Sequence, residues 1–234
     1  MTSFRINRWA AWSPGLPDTT AWRAWLHAPA LATLQGDAAP MLSELPAMTR
    51  RRIDPLGRAA LQVAFRAQGE APTGPVVFTS RWGEIARSVA LLRELARGES
   101  LSPTAFSLSV HNASSAVYSI ARGDTANYSA ISAGPASAAA GVCEALGLLA
   151  DGAAQVLVVS VESALPEPYQ AFDADALPVR AWAALIEAGD ELTLTPDGGP
   201  AVTTALPPDL AALQFLVGDA AELQQPGWRW RRHG

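Results

Sequence analysis

The 234 residues include one cysteine, three histidines and no lysine. A single thiol, Cys143, excludes internal disulfides and any metal site built from several cysteines. His27, His111 and His233 are too scattered to suggest a ligand cluster, so neither a metal nor a cofactor is expected. No apolar run reaches the roughly 18 residues that a membrane span needs, and the opening "MTSFRINRWAAW" has no continuous apolar segment. A cytoplasmic location is the expectation. Charge is also scarce: 17% of residues are charged and the net charge is -5, so no general polyanion-binding surface is expected and nucleic acid is not the main partner. No phosphate loop or dinucleotide fingerprint is present, and "DGGP" near Asp197 is turn chemistry.

What the chain does have is apolar mass. A hydrophobic content of 49% suffices for a full core, and with no repeat or long linker the expectation is one domain over 1–234, less regular from about residue 167. Eight tryptophans stand against three tyrosines, concentrated at the ends as Trp9, Trp12, Trp22, Trp25, Trp228 and Trp230. Side chains of that size belong in the fold or under a partner.

Along the chain, "FRINRWAAW" reads as a first strand, followed by a short helix through "AWRAWLHA" capped by Thr19 or Thr20. Pro29 to Pro46 reads as irregular. A helix from Pro55 to a stop at Gly69 aligns Leu56, Ala60, Val63 and Ala64. "PVVFTS" is a short strand, and Gly83 to Arg97 a helix with Ile85, Val89, Leu92 and Ala96 on one side. "SLSVHN" reads as extended, with Asn112 capping the short helix after it. "TANYSAIS" is a strand, Pro135 to Ala150 a helix, and "AQVLVVSVE" a strand apolar enough to be buried on both faces. Two further strands ("VRAWAALIEA", "ELTLT"), a Pro-started helix ("PPDLAALQFLVGD") and an extended "GWRWRRHG" complete the chain. Strands alternating with helices imply an α/β fold, a mostly parallel sheet with helices on both faces.

The stretch "AISAGPASAAAG" places a sharp strand-to-helix junction where many α/β enzymes carry a nucleophile, yet the junction holds Ala133, Gly134, Pro135 and Ala136. Ser132 and Ser137 flank it, and a hydrolase or acyltransferase reading would pair one of them with His111 as base. Cys143 falls well inside the helix beside Glu144, away from the helix start and from basic neighbours, and reads as an inert core residue. Arg50, Arg51 and Arg52 form a basic run that is either a solvated helix start or a contact for an acidic partner.

The order "SPTAFSLSVHNASSAVYSIARG", then "YSAISAGPASAAAGVCEALGLLADGAAQVLVVSVE", resembles the N-terminal half of a β-ketoacyl synthase of the thiolase fold, with Gly152 and Glu162 as anchors. "WAAWSPGL", "ESALPEPY" and the terminal Trp-Arg-Trp further resemble the short chain length factors of aryl polyene and xanthomonadin-type pigment clusters. Counting from the anchors, the resemblance puts the family's nucleophilic cysteine at Gly134 or Pro135. It also implies a second half with two catalytic histidines and a lysine, for which the 234 residues leave no room; no histidine lies between His111 and His233. The implied function is a non-catalytic subunit that pairs with a complete β-ketoacyl synthase as a heterodimer and shapes its acyl tunnel. By the same resemblance the partner contact falls at His111, Asn112, Tyr118, Asn127 and Tyr128, with an edge strand adding to the neighbour's sheet, and an acyl carrier protein would meet Arg50, Arg51 and Arg52. The alternatives are the serine-dependent enzyme and a free-standing carrier-binding module.

Overall fold

The apolar run from Gln155 to Glu162 forms a strand in mid-sheet, buried at every residue after the first, and the rest of the chain is arranged around it. The computed structural model describes residues 3–173, 175–199 and 204–233. In chain order these form β1 (Ser3–Trp12), α1 (Thr19–His27), α2 (Ala47–Arg50), α3 (Pro55–Gln68), β2 (Val76–Thr79), α4 (Ile85–Ala96), α5 (Pro103–Ser107), α6 (Ala113–Arg122), β3 (Tyr128–Ile131), α7 (Ser137–Ala150), β4 (Gln155–Glu162), β5 (Arg180–Ala188), β6 (Leu192–Pro196), α8 (Pro208–Val217), β7 (Glu222–Gln225) and β8 (Trp228–Arg232). The strands make one sheet in the order β3-β2-β4-β5-β1-β6-β8-β7.

The α/β expectation holds, with helices on both faces. The expected predominance of parallel pairing does not: β2 runs parallel to β3 and β4, whereas β4–β5, β5–β1, β1–β6, β6–β8 and β8–β7 are antiparallel. Helical crossovers join β2 to β3 and β3 to β4, the parallel group. The two-residue turn between β7 and β8 forces those two strands antiparallel, while β4 reaches β5 through the loop over residues 163–179 and β6 reaches β7 through α8. The part after residue 167 is accordingly regular, carrying β5 to β8 and α8; irregular backbone is concentrated in the loop between β4 and β5.

Two hydrophobic layers sandwich the sheet. Val156 and Val158 of β4, with Trp182, Ala184 and Ile186 of β5, face α1, α7 and α8; Leu157, Val159, Ala181, Ala183 and Leu185 face α3 and α6. In β1 the alternation changes phase. Phe4 and Ile6 point to the first layer and so do Trp9 and Ala11, because a register shift between Ile6 and Arg8 inserts one residue against β5. A bulge of that kind swaps the faces of everything beyond it, which lets Ala10 and Trp12 join the second layer.

Tryptophans build this core. Trp12, Trp22, Trp25, Trp182 and Trp230 are all at most 5% exposed, and Trp22 meets Trp25 edge-on at 5.2 Å. Indole N–H groups of Trp22 and Trp25 donate to the carbonyls of Leu16 and Ala30, so burial leaves no donor unmet there. The Trp-rich ends therefore close the chain's own core rather than offering surface to a partner. The start of α1 differs from expectation. Asp18, not Thr19 or Thr20, caps α1 by accepting from the Ala21 amide at 2.9 Å. Asp54 caps α3 in the same way through Gly57, with Pro55 at the first helical position as expected.

Candidate functional site

The elbow is where the sequence put it. β3 ends at Ile131, Gly134 adopts φ +57, and a single 3-10 turn over Gly134–Ala136 feeds α7. A left-handed backbone angle is the reason for glycine, since a β-carbon at Gly134 would find open space. Ser137 ties the turn together: its hydroxyl donates to the Gly134 carbonyl at 2.7 Å and accepts from the Ala133 amide at 3.0 Å. With both roles filled and 3% exposure, Ser137 holds the turn's shape. Ser132 donates to the Arg81 carbonyl at 3.0 Å. His111 contacts the neighbouring Ser80 carbonyl through Nε2 at 3.0 Å, which makes Nε2 the protonated nitrogen because a carbonyl can only accept. The ring also packs on Gly83, where a β-carbon would come within 2.6 Å of it. Among the described residues no hydrogen bond joins His111 to either serine, so the three do not assemble into a nucleophile with its base.

What lies behind the elbow is a cluster of locked charges. Arg180 forms two hydrogen bonds with Asp209, at 2.8 and 2.9 Å, and both are buried. Asp209 also offers its carbonyl to the Trp182 indole at 3.0 Å. Glu162, at the end of β4, lies opposite Arg180 in the β4–β5 ladder and accepts the Arg81 amide at 2.7 Å. Burial, and then the nearby Asp209 carboxylate, push the Glu162 carboxyl up to about 8. The cleft between these side chains, Gly134 and Pro135 measures about 40 Å³, room for little more than a water. Sequence reading anchored Glu162 but missed Arg180 and Asp209. The available signal was a charge at the head of a strand that is apolar from Ala181 to Ile186.

Other expectations sort by burial. Asn112 and Asn127 are exposed, and Tyr128 is 40% exposed on β3, which stands at one edge of the sheet with a neighbour on one side only. Asn112 makes no side-chain cap: the chain enters α6 through a turn closed by the Ala113 amide on the Val110 carbonyl, so its backbone is not in the extended form that a capping side chain needs. "SLSVHN" is likewise not extended, because Ser102 and Pro103 start α5 and hydrogen-bonded turns follow it. Tyr118 is 2% exposed and cannot touch a partner; it packs on Phe65 and Phe78 with ring centres 5.0 and 6.1 Å apart. Cys143 is exposed, not core: it lies with Glu144 and Gly147 on the open side of α7, and burial of part of the side chain, then Glu144, raise its thiol. Arg50 is occupied by the Met41 and Leu42 carbonyls, while Arg51 and Arg52 are exposed and without an ion pair among the described residues.

Several large apolar side chains on the helices are exposed. Leu92 and Leu95 of α4 are each 57% exposed, Phe106 of α5 63% and Ile120 of α6 80%, although Leu92 was expected on a buried face. α4 packs on α5, and α6 packs on β3. No helix among the described residues is long and apolar enough to cross a membrane, and no group of residues there could hold a metal ion.

Comparison with known proteins agrees with this geometry. Residues 22–231 match the family described as β-ketoacyl synthase, N-terminal domain. A chain from the structure of the ketosynthase ApeO in complex with its chain length factor ApeC, from Xenorhabdus doucetiae, is 31% identical; the match covers 99% of this chain and 100% of that one with a TM-score of 0.83. The ishigamide ketosynthase/chain length factor is 16% identical over 84% of this chain and 68% of its own, with a TM-score of 0.65. A β-ketoacyl synthase from Burkholderia phymatum STM815 is 14% identical over 86% and 66%, at 0.63, and like the previous one attests the fold. No curated protein matches. The architecture is the thiolase-like one that the resemblance implied, and the chain belongs to the β-ketoacyl synthase family, through its N-terminal domain.

Proposed function

We propose that this chain is a chain length factor: a ketosynthase-like subunit without a nucleophile that pairs with a complete β-ketoacyl synthase in the cytoplasm and shapes its acyl tunnel during aryl polyene-type synthesis. The observation that carries this reading is an elbow kept in geometry, with Gly134 and Pro135 where a nucleophile would stand and a locked ion pair filling the space behind it. A relative at 31% identity comes from a ketosynthase–chain length factor complex, which supports the same assignment. The partner adds to the free edge of β3 and covers the exposed side chains of α4, α5 and α6, with Asn112, Asn127 and Tyr128 at the contact and His111 bracing the segment that carries Asn112. The unpaired backbone groups of an edge strand are satisfied by such addition.

Strand geometry offers a direct test. The Asn127 and Ile131 carbonyls accept from the Val76 and Ser80 amides, so by alternation the Ala130 amide points to the open edge. Ala130→Pro removes that donor while leaving the β2 side intact. Co-expression with the complete synthase should give a co-purifying pair that Ala130→Pro abolishes, with the circular dichroism of the variant unchanged; retained pairing would exclude β3 as the contact. Arg51 and Arg52, exposed and unpaired, support a second contact, with an acidic carrier protein. Charge reversal at Arg51 should weaken carrier binding in a salt-dependent manner.

A further inference from the structure

A groove runs between the segment containing α2 and the helices α5 and α6, with a volume of about 400 Å³, within the range of small-molecule sites. Met48, Ile53, Leu108 and Val117 supply its apolar wall, and Arg52 stands at its edge with no ion pair among the described residues. Ile53, Leu108 and Val117 are shared with a smaller inner cavity of about 10 Å³, where Asp54, Glu84, Arg87 and Ser114 converge. Glu84 is 7% exposed; its Oε1 accepts from the Ser114 hydroxyl at 3.4 Å, and its Oε2 has no hydrogen-bond partner. A space that small admits one water at most, and a polar wall there stops an alkyl chain.

The groove is thus lined by the Arg52 cation, by four apolar side chains and by Thr49, Thr104 and Ser107, and it adjoins the small cavity that holds Glu84. We propose that it is a binding site for a single-chain organic acid, whose carboxylate pairs with Arg52 and whose alkyl chain lies on Ile53, Leu108 and Val117. A neutral molecule of the same length would gain the apolar contacts but not the charge-assisted hydrogen bond. Nothing in this assignment requires a ketosynthase partner, so it stands or falls separately from the pairing proposed above. It is likewise distinct from carrier binding, which would use Arg51 as much as Arg52.

Calorimetric titration of the full chain with decanoate and with decanol, both below their aggregation limits, tests it. Decanoate should bind once per chain and about ten-fold or more tighter than decanol, the factor expected of one charge-assisted hydrogen bond. Arg52→Glu should remove that difference while Arg51→Glu keeps it. Thr104→Trp, at an exposed rim position that the core does not use, should weaken both ligands by obstructing the groove. Equal affinity for decanoate and decanol in the unaltered chain, no saturable binding, or decanoate binding unmoved by Thr104→Trp would overturn the proposal. Melting temperatures of the three variants, unchanged from the parent, show that a lost signal reflects the groove and not the fold.

Discussion

Replacing Asp209 with Asn probes how the charges behind the elbow balance. Arg180 is 8% exposed and spends two short hydrogen bonds on Asp209. Removing one member of a buried ion pair costs about 3–5 kcal/mol, because the survivor stays charged without a partner. Here a second acid stands by. Glu162 faces Arg180 across the β4–β5 ladder and is held neutral near pH 7 by burial first and Asp209 second. Asp209→Asn removes that repulsion, so Glu162 ionises and returns a negative charge to Arg180. The single substitution should then cost about 2 kcal/mol, and the double substitution with Glu162→Gln about 3–5 kcal/mol, since it strips both acids from the guanidinium. Glu162→Gln alone imitates the neutral acid and keeps the acceptor for the Arg81 amide, so at pH 7 it should cost less than about 1 kcal/mol. Urea unfolding of the four proteins reads these values directly. Single costs that sum to the double would refute the compensation. The pH dependence gives a second reading of the same group. With its carboxyl near 8 when folded against the ordinary 4.5, the native chain holds this proton more tightly, so the stability it contributes is full below pH 4.5 and is lost as pH rises toward 8. Glu162→Gln should flatten that part of the profile. Glu84, raised to about 9 by burial and then by Asp54, should leave a residual slope over the same range and on toward pH 9.

Two further substitutions test the packing. The Tyr118 hydroxyl is buried with no hydrogen-bond partner, and burial holds it up at about 12; Tyr118→Phe should leave urea stability unchanged or raise it by up to about 1 kcal/mol. A methyl at Gly141 would run into Thr79 Cγ2 where α7 crosses β2, whereas one at Gly134 meets nothing and costs only the left-handed backbone, about 1–2 kcal/mol. Gly141→Ala should therefore lower the melting temperature more than Gly134→Ala does.

Local chemistry made much of this fold readable. Pro55 and Gly69 bracket α3, and the apolar run of β4 announces a central strand, because in both cases the deciding interactions lie within a few residues. Leu92 shows where that ends. Helical spacing identifies a shared face on α4 but not how much of it the chain covers: Val89 on that face is buried while Leu92 is exposed. Cys143 sits one residue from the buried Val142, yet a step of 100° around the helix carries it to the open side. The bulge in β1 depends on register against β5, some 180 residues away, and the ion pair of Arg180 with Asp209 joins a strand to a helix that no spacing rule connects. The elbow itself was legible as a turn. That the space behind it is filled by an ion pair became visible only when β4, β5 and α8 were in place.

The central claim is a subunit that completes a ketosynthase without performing chemistry. Native mass spectrometry of the co-expressed pair, after incubation with an acyl donor, tests both halves of that claim at once. A one-to-one complex is expected, with the acyl group on the synthase and the mass of this chain unchanged, including Ser132, Ser137 and Cys143. An acyl adduct on this chain, or a synthase that never binds it, would contradict the account.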